Sequence, residues 1–164
     1  MANEEGSGIR PNVHRRRLFA YTFTIMDLRT RLYLAYGSSM KSERGAFDRA
    51  IAMLSYMGIE LDSIRLDRYY SAPTYVDGFG SRVYVMPKMN ATFKGSQKWK
   101  GTIKEFVKDT VGYLEEYHRR SNSESGFAQD KRPLGWTVAQ RRDDRIGCAL
   151  FSMELWHNLF NLAS

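Results

Sequence analysis

RLFAYTFTIMDLRTRLYLAYG, residues 17–37, is the stretch on which the architecture turns. Residues 17–26 are dense in aromatic and β-branched side chains, which fit a pleated, half-buried surface and predict a strand. Asp27, Leu28, Arg29 and Thr30 read as a turn, and residues 31–37 read as a second strand. Two strands so close in sequence form an antiparallel hairpin. Working outward, residues 42–57 carry Phe47, Ala50, Ile51, Leu54 and Met57 at helical spacing, with Gly58 as the stop. Residues 59–67 supply a short strand that leads into Asp67. A loop follows with Pro73, glycines and room for one helical turn. RVYVMP, residues 82–87, is another strand, closed by Pro87. A long helix is expected from Thr102, with Ile103, Phe106, Val107, Thr110, Val111, Leu114 and Tyr117 as one apolar stripe. The last helix is expected over residues 143–162, burying Ile146, Ala149, Leu150, Met153, Trp156 and Phe160. Strands separated by helices predict a mixed α/β sheet, with the strand ending at Asp67 parallel to a neighbour.

Composition excludes several classes. The 164 residues suffice for one domain with a core, and a hydrophobic fraction of 43% fits a globular chain. No apolar run is long enough to cross a membrane, and the first residues lack the apolar stretch of a secretory signal. The single cysteine, Cys148, has no internal partner, which suits a cytoplasmic setting, and it reads as a small buried residue. The net charge of +7 favours a polyanionic partner, with double-stranded DNA the expectation. Basic residues cluster in three places: Arg10 with Arg15, Arg16 and Arg17; Lys88, Lys94, Lys98, Lys100, Lys104 and Lys108; and Arg119, Arg120, Lys131, Arg132, Arg141, Arg142 and Arg145.

One constellation carries chemistry. In YHRRSNSESGFAQDK, residues 117–131, Tyr117, Arg120, Glu124 and Lys131 are spaced three, seven and fourteen residues from the first. On a helix these offsets share one face. A carboxylate on a buried helix face needs compensation, and a metal ion or a salt bridge to Arg120 supplies it. The spacing Tyr-(2)-Arg-(3)-Glu-(6)-Lys resembles the signature of DDE transposases of bacterial and archaeal insertion sequences. LDRYYS, residues 66–71, is similar to the segment holding that family's second carboxylate, and the resemblance extends over residues 17–162. It departs in one place: relatives often have Gly two positions after the Asp, where this chain has Tyr69.

The resemblance implies a ribonuclease-H-like mixed sheet flanked by helices. It further implies metal-dependent phosphodiester hydrolysis and strand transfer at transposon DNA ends, with magnesium or manganese held by Asp67 and Glu124. Two divalent ions activate water, stabilise the leaving oxygen and neutralise phosphate, and they prefer hard oxygen ligands. Arg120 and Lys131 would grip DNA phosphates. Tyr117 is either core or DNA contact. Trp99 is a packing residue or, as in some relatives, a stacking platform for an extruded base. The family's first Asp sits on a strand that precedes two more antiparallel strands, and only two strands precede residue 42 here. Asp27 is the candidate for that carboxylate, but as the turn residue of a hairpin it reads more simply as a turn builder. The expectation is therefore a domain over residues 17–164 without its first strand, behind a polar basic tail at residues 1–16. A homodimer is compatible with this reading. A non-catalytic DNA-binding remnant is the alternative function, and a ribonuclease-H-like nuclease outside the transposases is a third.

Overall fold

The computed structural model describes residues 20–120, 138, 140 and 142–163. The first hairpin is present. Strand β1, Tyr21–Met26, pairs antiparallel with β2, Tyr33–Ser39, with Tyr21 opposite Ser39 and an irregularity between Ile25 and Met26. Alternation sends Phe23, Ile25 and Ala35 to one side, where helix α1, Glu43–Tyr56, covers them. The Ser42 hydroxyl accepts from the Gly45 amide at 3.1 Å and so starts α1. Gly58, at φ +64°, ends it, and the Ile59 amide reaches back to the Leu54 carbonyl. The helix lies almost on the strand. A Cβ at Gly37 would sit 2.0 Å from the Ala46 carbonyl oxygen, so a side chain there would push α1 off β2.

The second pair is parallel. Strand β3, Ser63–Leu66, runs beside β4, Arg82–Val85, in register Ile64 to Val83 and Leu66 to Val85. A 3-10 turn, Arg68–Tyr70, and helix α2, Pro73–Val76, lie between them. Ile64, Leu66, Val83 and Val85 join Phe23, Ile25 and Phe47 in one core, so both strand pairs rest against the same apolar layer. The Tyr70 ring meets the Phe23 ring edge-on at 5.1 Å. The first half of β1 is thus beside the turn that follows β3. Among the described residues β1 pairs with β2 and β3 with β4, and β1 and β3 are not bonded to each other. The mixed α/β expectation is met at this level.

Two helical readings need correction. The helix expected from Thr102 through Tyr117 is two helices, α3, Gln97–Lys108, and α4, Thr110–His118. Asp109 leaves helical geometry at φ −142°, and its side chain accepts from the Gly112 amide to start α4. The stripe does not survive the break: Val107 and Val111 are exposed, while Ile103, Tyr113 and Tyr117 are buried. Helix α5, Asp143–Ala163, keeps the expected inward face at Ile146 and, half-buried, at Ala149, Leu150 and Met153, but departs from it in its second half. Ile146 and His157 are buried, whereas Trp156 and Phe160 are 52% and 62% exposed. Polar contacts set the orientation. His157 stacks on Tyr33 at 3.9 Å, the Asn158 side chain accepts from the Tyr33 amide and donates to its carbonyl, and Glu154 accepts from Thr24. Cys148, expected to be buried, is exposed. No helix among the described residues is long and apolar enough to cross a membrane.

Candidate active site at the end of strand β3

Asp67 follows the last residue of β3, at the carboxyl end of a parallel pair, where open α/β sheets present ligand-binding side chains. Its backbone turns at once into the 3-10 segment. One carboxylate oxygen accepts from the Tyr69 amide at 2.8 Å, and the other accepts from the Arg120 guanidinium at 2.7 Å. The turn closes without the glycine that relatives carry, because Tyr69 keeps an ordinary negative φ in a 3-10 turn capped by Asp67 itself. Burial pushes the Asp67 carboxyl up. The Tyr69 amide and Arg120 outweigh that and hold it below the usual carboxylate range.

A chain of contacts places Arg120. Arg65, in the middle of β3 and largely buried, donates to the Glu116 carbonyl at 2.8 Å and pairs with the Glu116 carboxylate at 2.5 Å. That clamp ties the last turn of α4 to β3. Tyr113 and Tyr117, one turn apart, pack with Tyr84 of β4 in a second small core. The Tyr113 hydroxyl accepts from the Val85 amide at 2.8 Å, and burial pushes its pKa up to about 12. With α4 fixed on the sheet, Arg120 leaves the helix end beside Asp67, its guanidinium 5.5 Å from the centre of the Tyr117 ring. Tyr117 is therefore core, and its ring shelves the arginine. Lys88 adds a second cation at this corner, donating to the Tyr69 carbonyl at 3.0 Å.

The other sequence-selected residues are placed as follows. Asp27 lies in the β1–β2 turn, where it accepts from the Arg29 and Thr30 amides and from the Thr30 hydroxyl at 2.6 Å. It follows the end of β1 and, like Asp67, lines the cleft between β1 and β3, but its carboxylate is engaged within its own turn. Trp99 is packed in the main core, 3% exposed, with its indole N–H donating to the Thr92 carbonyl. Glu124 and Lys131 lie outside the described residues.

The donor chemistry can be tested against a divalent ion. Among the described residues no three His, Cys, Asp or Glu side chains cluster as ligands. Asp67 offers one half-exposed carboxylate whose two oxygens are already engaged. The described residues alone therefore do not make a metal site, and one at this corner requires a further carboxylate. Sequence reading selected Asp67 and Arg120 but not Arg65 and Glu116. An arginine amid the apolar residues of a strand was the available signal, since it needs a partner when buried.

Comparison with known proteins adds one relationship. The chain is 42% identical over 144 residues to a protein of Archaeoglobus fulgidus named as a probable transposase for insertion sequence element ISA1214. The match takes in 87% of this chain, which spans 44% of the length of that relative. No protein-family model matches the chain. No solved structure matches it.

Proposed function

We propose that this chain is the C-terminal part of a DDE transposase catalytic domain from an insertion sequence, acting on duplex DNA at transposon ends by metal-dependent phosphodiester chemistry. The observation that carries the reading is the corner at Asp67. A carboxylate at the carboxyl end of a parallel strand is joined to Arg120, the second residue of the Tyr-(2)-Arg-(3)-Glu-(6)-Lys spacing. The two sequence segments that resemble the family thus meet in space, 53 residues apart. Similarity to the probable transposase of Archaeoglobus fulgidus supports the same reading. So does the strand layout: among the described residues an antiparallel pair and a parallel pair share one core, a combination that a ribonuclease-H-like sheet also contains.

In this reading Asp67 and Glu124 hold magnesium or manganese. Glu124 is four residues beyond Arg120, and four residues reach at most about 14 Å, enough to return to the Asp67 carboxylate. The ion would supply Lewis acidity and charge neutralisation at the scissile phosphate. The chain's own contribution is to hold the carboxylate ionised and aimed, through the Tyr69 amide and Arg120. Arg120, Lys131 and Lys88 would meet phosphate oxygens. Cleavage by the family's scheme needs a first carboxylate beside Asp67, and the Asp27 carboxylate is engaged in its own turn. A DNA-binding part without independent cleavage is accordingly the second reading, and the local engagement of Asp27 favours it.

Both readings require duplex DNA to bind. Titration of the chain with a random-sequence duplex at two salt concentrations should show affinity falling steeply as salt rises, because phosphate contacts release counterions. Absence of binding at low salt, or affinity indifferent to salt, would overturn both.

A further inference from the structure

We infer that Glu43 and Tyr70 are positioning residues for Asp67, because the Tyr70 hydroxyl donates to the Glu43 carboxylate and so ties the turn that carries Asp67 to the first turn of α1. The inference rests on the reading of Asp67 as the carboxylate of the site. Asp67, Arg68 and Tyr69 are all exposed, so the core does not hold them. The turn has two anchors instead. One is Leu66, 3% exposed at the end of β3, and the other is Tyr70. A 3-10 turn of three residues has poor internal hydrogen-bond geometry. How its second anchor is fixed therefore decides where the Asp67 carboxylate and the Tyr69 amide point.

Tyr70 is fixed in two ways. Its ring meets Phe23 at 5.1 Å, Tyr75 at 5.1 Å and Tyr69 at 5.2 Å, each edge to face. Such contacts leave a ring free to slide along its long axis. The hydroxyl bond to Glu43 removes that freedom, since a hydrogen bond to a carboxylate is short and directional. Burial and the Glu43 carboxylate both push the Tyr70 hydroxyl above its ordinary range, so it stays a donor. Glu43 stands on a fixed post. It opens α1, whose Ala46, Phe47, Ala50 and Leu54 are buried in the main core. Negative charge is favoured at such a helix start. The adjacent Arg44 donates to the Thr74 carbonyl at 2.8 Å, so the first turn of α1 grips the β3–β4 crossover at two places. Relatives often have Gly at the position of Tyr69, where the backbone is free to shape the turn. Here the tether from α1 shapes it from outside.

The test uses the whole 164-residue chain and NMR at constant pH, and it reads the Tyr69 amide proton that Asp67 accepts. Tyr70→Phe keeps the ring and removes the hydroxyl. It should speed exchange of the Tyr69 amide about tenfold and move its proton upfield, while α1 and β2 keep their protection. Glu43→Ala should do the same. Glu43→Gln still offers an oxygen to the hydroxyl and should restore the parent shift and rate. Glu43→Ala combined with Tyr70→Phe should go no further than either change alone, since both cut one bond. A general loss of packing would loosen α1 together with the turn, and Gln would not rescue it. The inference is overturned if the Tyr69 amide is unmoved in Tyr70→Phe, if α1 loses protection in equal measure, or if Glu43→Gln behaves as Glu43→Ala does. None of these readouts needs metal or DNA, so failure here and failure of the proposed function are separable.

Discussion

Asp27 and Asp67 each follow a β-strand, each accepts backbone amides from the turn that comes next, and each is held below the usual carboxylate range. They differ in where the remaining partners come from. Asp27 is satisfied within three residues, by Thr30 and Arg29. Asp67 reaches across 53 residues to Arg120. An aspartate satisfied locally builds a turn and could be moved with it. An aspartate whose partner is delivered by a distant helix marks a place where the tertiary fold converges, and convergence of separate elements is what a binding site requires. Two like residues in like positions thus have unlike meanings, and the partner's sequence separation distinguishes them.

The largest way to break this contrast is through the clamp that delivers Arg120. Arg65→Ala removes a mostly buried ion pair and leaves Glu116 only its more exposed partner Arg119, which should cost about 2–4 kcal/mol in denaturant unfolding. Exchange protection should fall in α4 while β1 and β2 keep theirs. Equal loss in the hairpin would mean that the two regions are not separable. Next comes Asp27→Ala, which removes the acceptor of three hydrogen bonds from a solvent-facing turn and should cost about 1 kcal/mol. A loss as large as that of Arg65→Ala would contradict a purely local role.

Smaller effects sharpen the comparison. Arg120→Gln should raise the pKa of Asp67 toward the ordinary range and leave Asp27 unchanged, as carboxyl carbon NMR titration would show. A shift at both, or at neither, would count against the pairing. For acid stability the sign follows from both carboxyls being depressed on folding. Their contribution is fully present above the unfolded carboxylate value of about 3.9 and is lost as pH falls through the lower folded values. Asp27→Asn and Asp67→Asn should therefore each lose less stability between pH 6 and pH 3 than the parent chain does. The Asp67 effect is modest because its side chain is half exposed.

The elements legible in the sequence were those whose signals are local. The β-branched run before Asp27, the spacing of Phe47, Ala50 and Leu54, and Gly58 beyond the helix each act within a few residues. The failures came where local pattern competes with something else. Apolar spacing runs unbroken through Thr110, but Asp109 offers its carboxylate to the Gly112 amide and restarts the helix, which turns Val107 and Val111 outward. Helix α5 is apolar nearly all round, so its inward face is chosen by His157 and Asn158 capturing the backbone of residues 31 and 33. No periodicity records such contacts. At the candidate site, Asp67 and Arg120 were found by resemblance and strand position, whereas the Arg65–Glu116 clamp depends on a pairing 51 residues apart.

Manganese titration followed by NMR line broadening decides most directly between the two aspartates. Broadening should centre on the amides of Asp67, Tyr69 and Arg120, disappear in Asp67→Asn and in Glu124→Gln, and persist in Asp27→Asn. Broadening that survives Asp67→Asn, or that centres on the Asp27 turn, would contradict the assignment of the metal-binding corner to the end of β3.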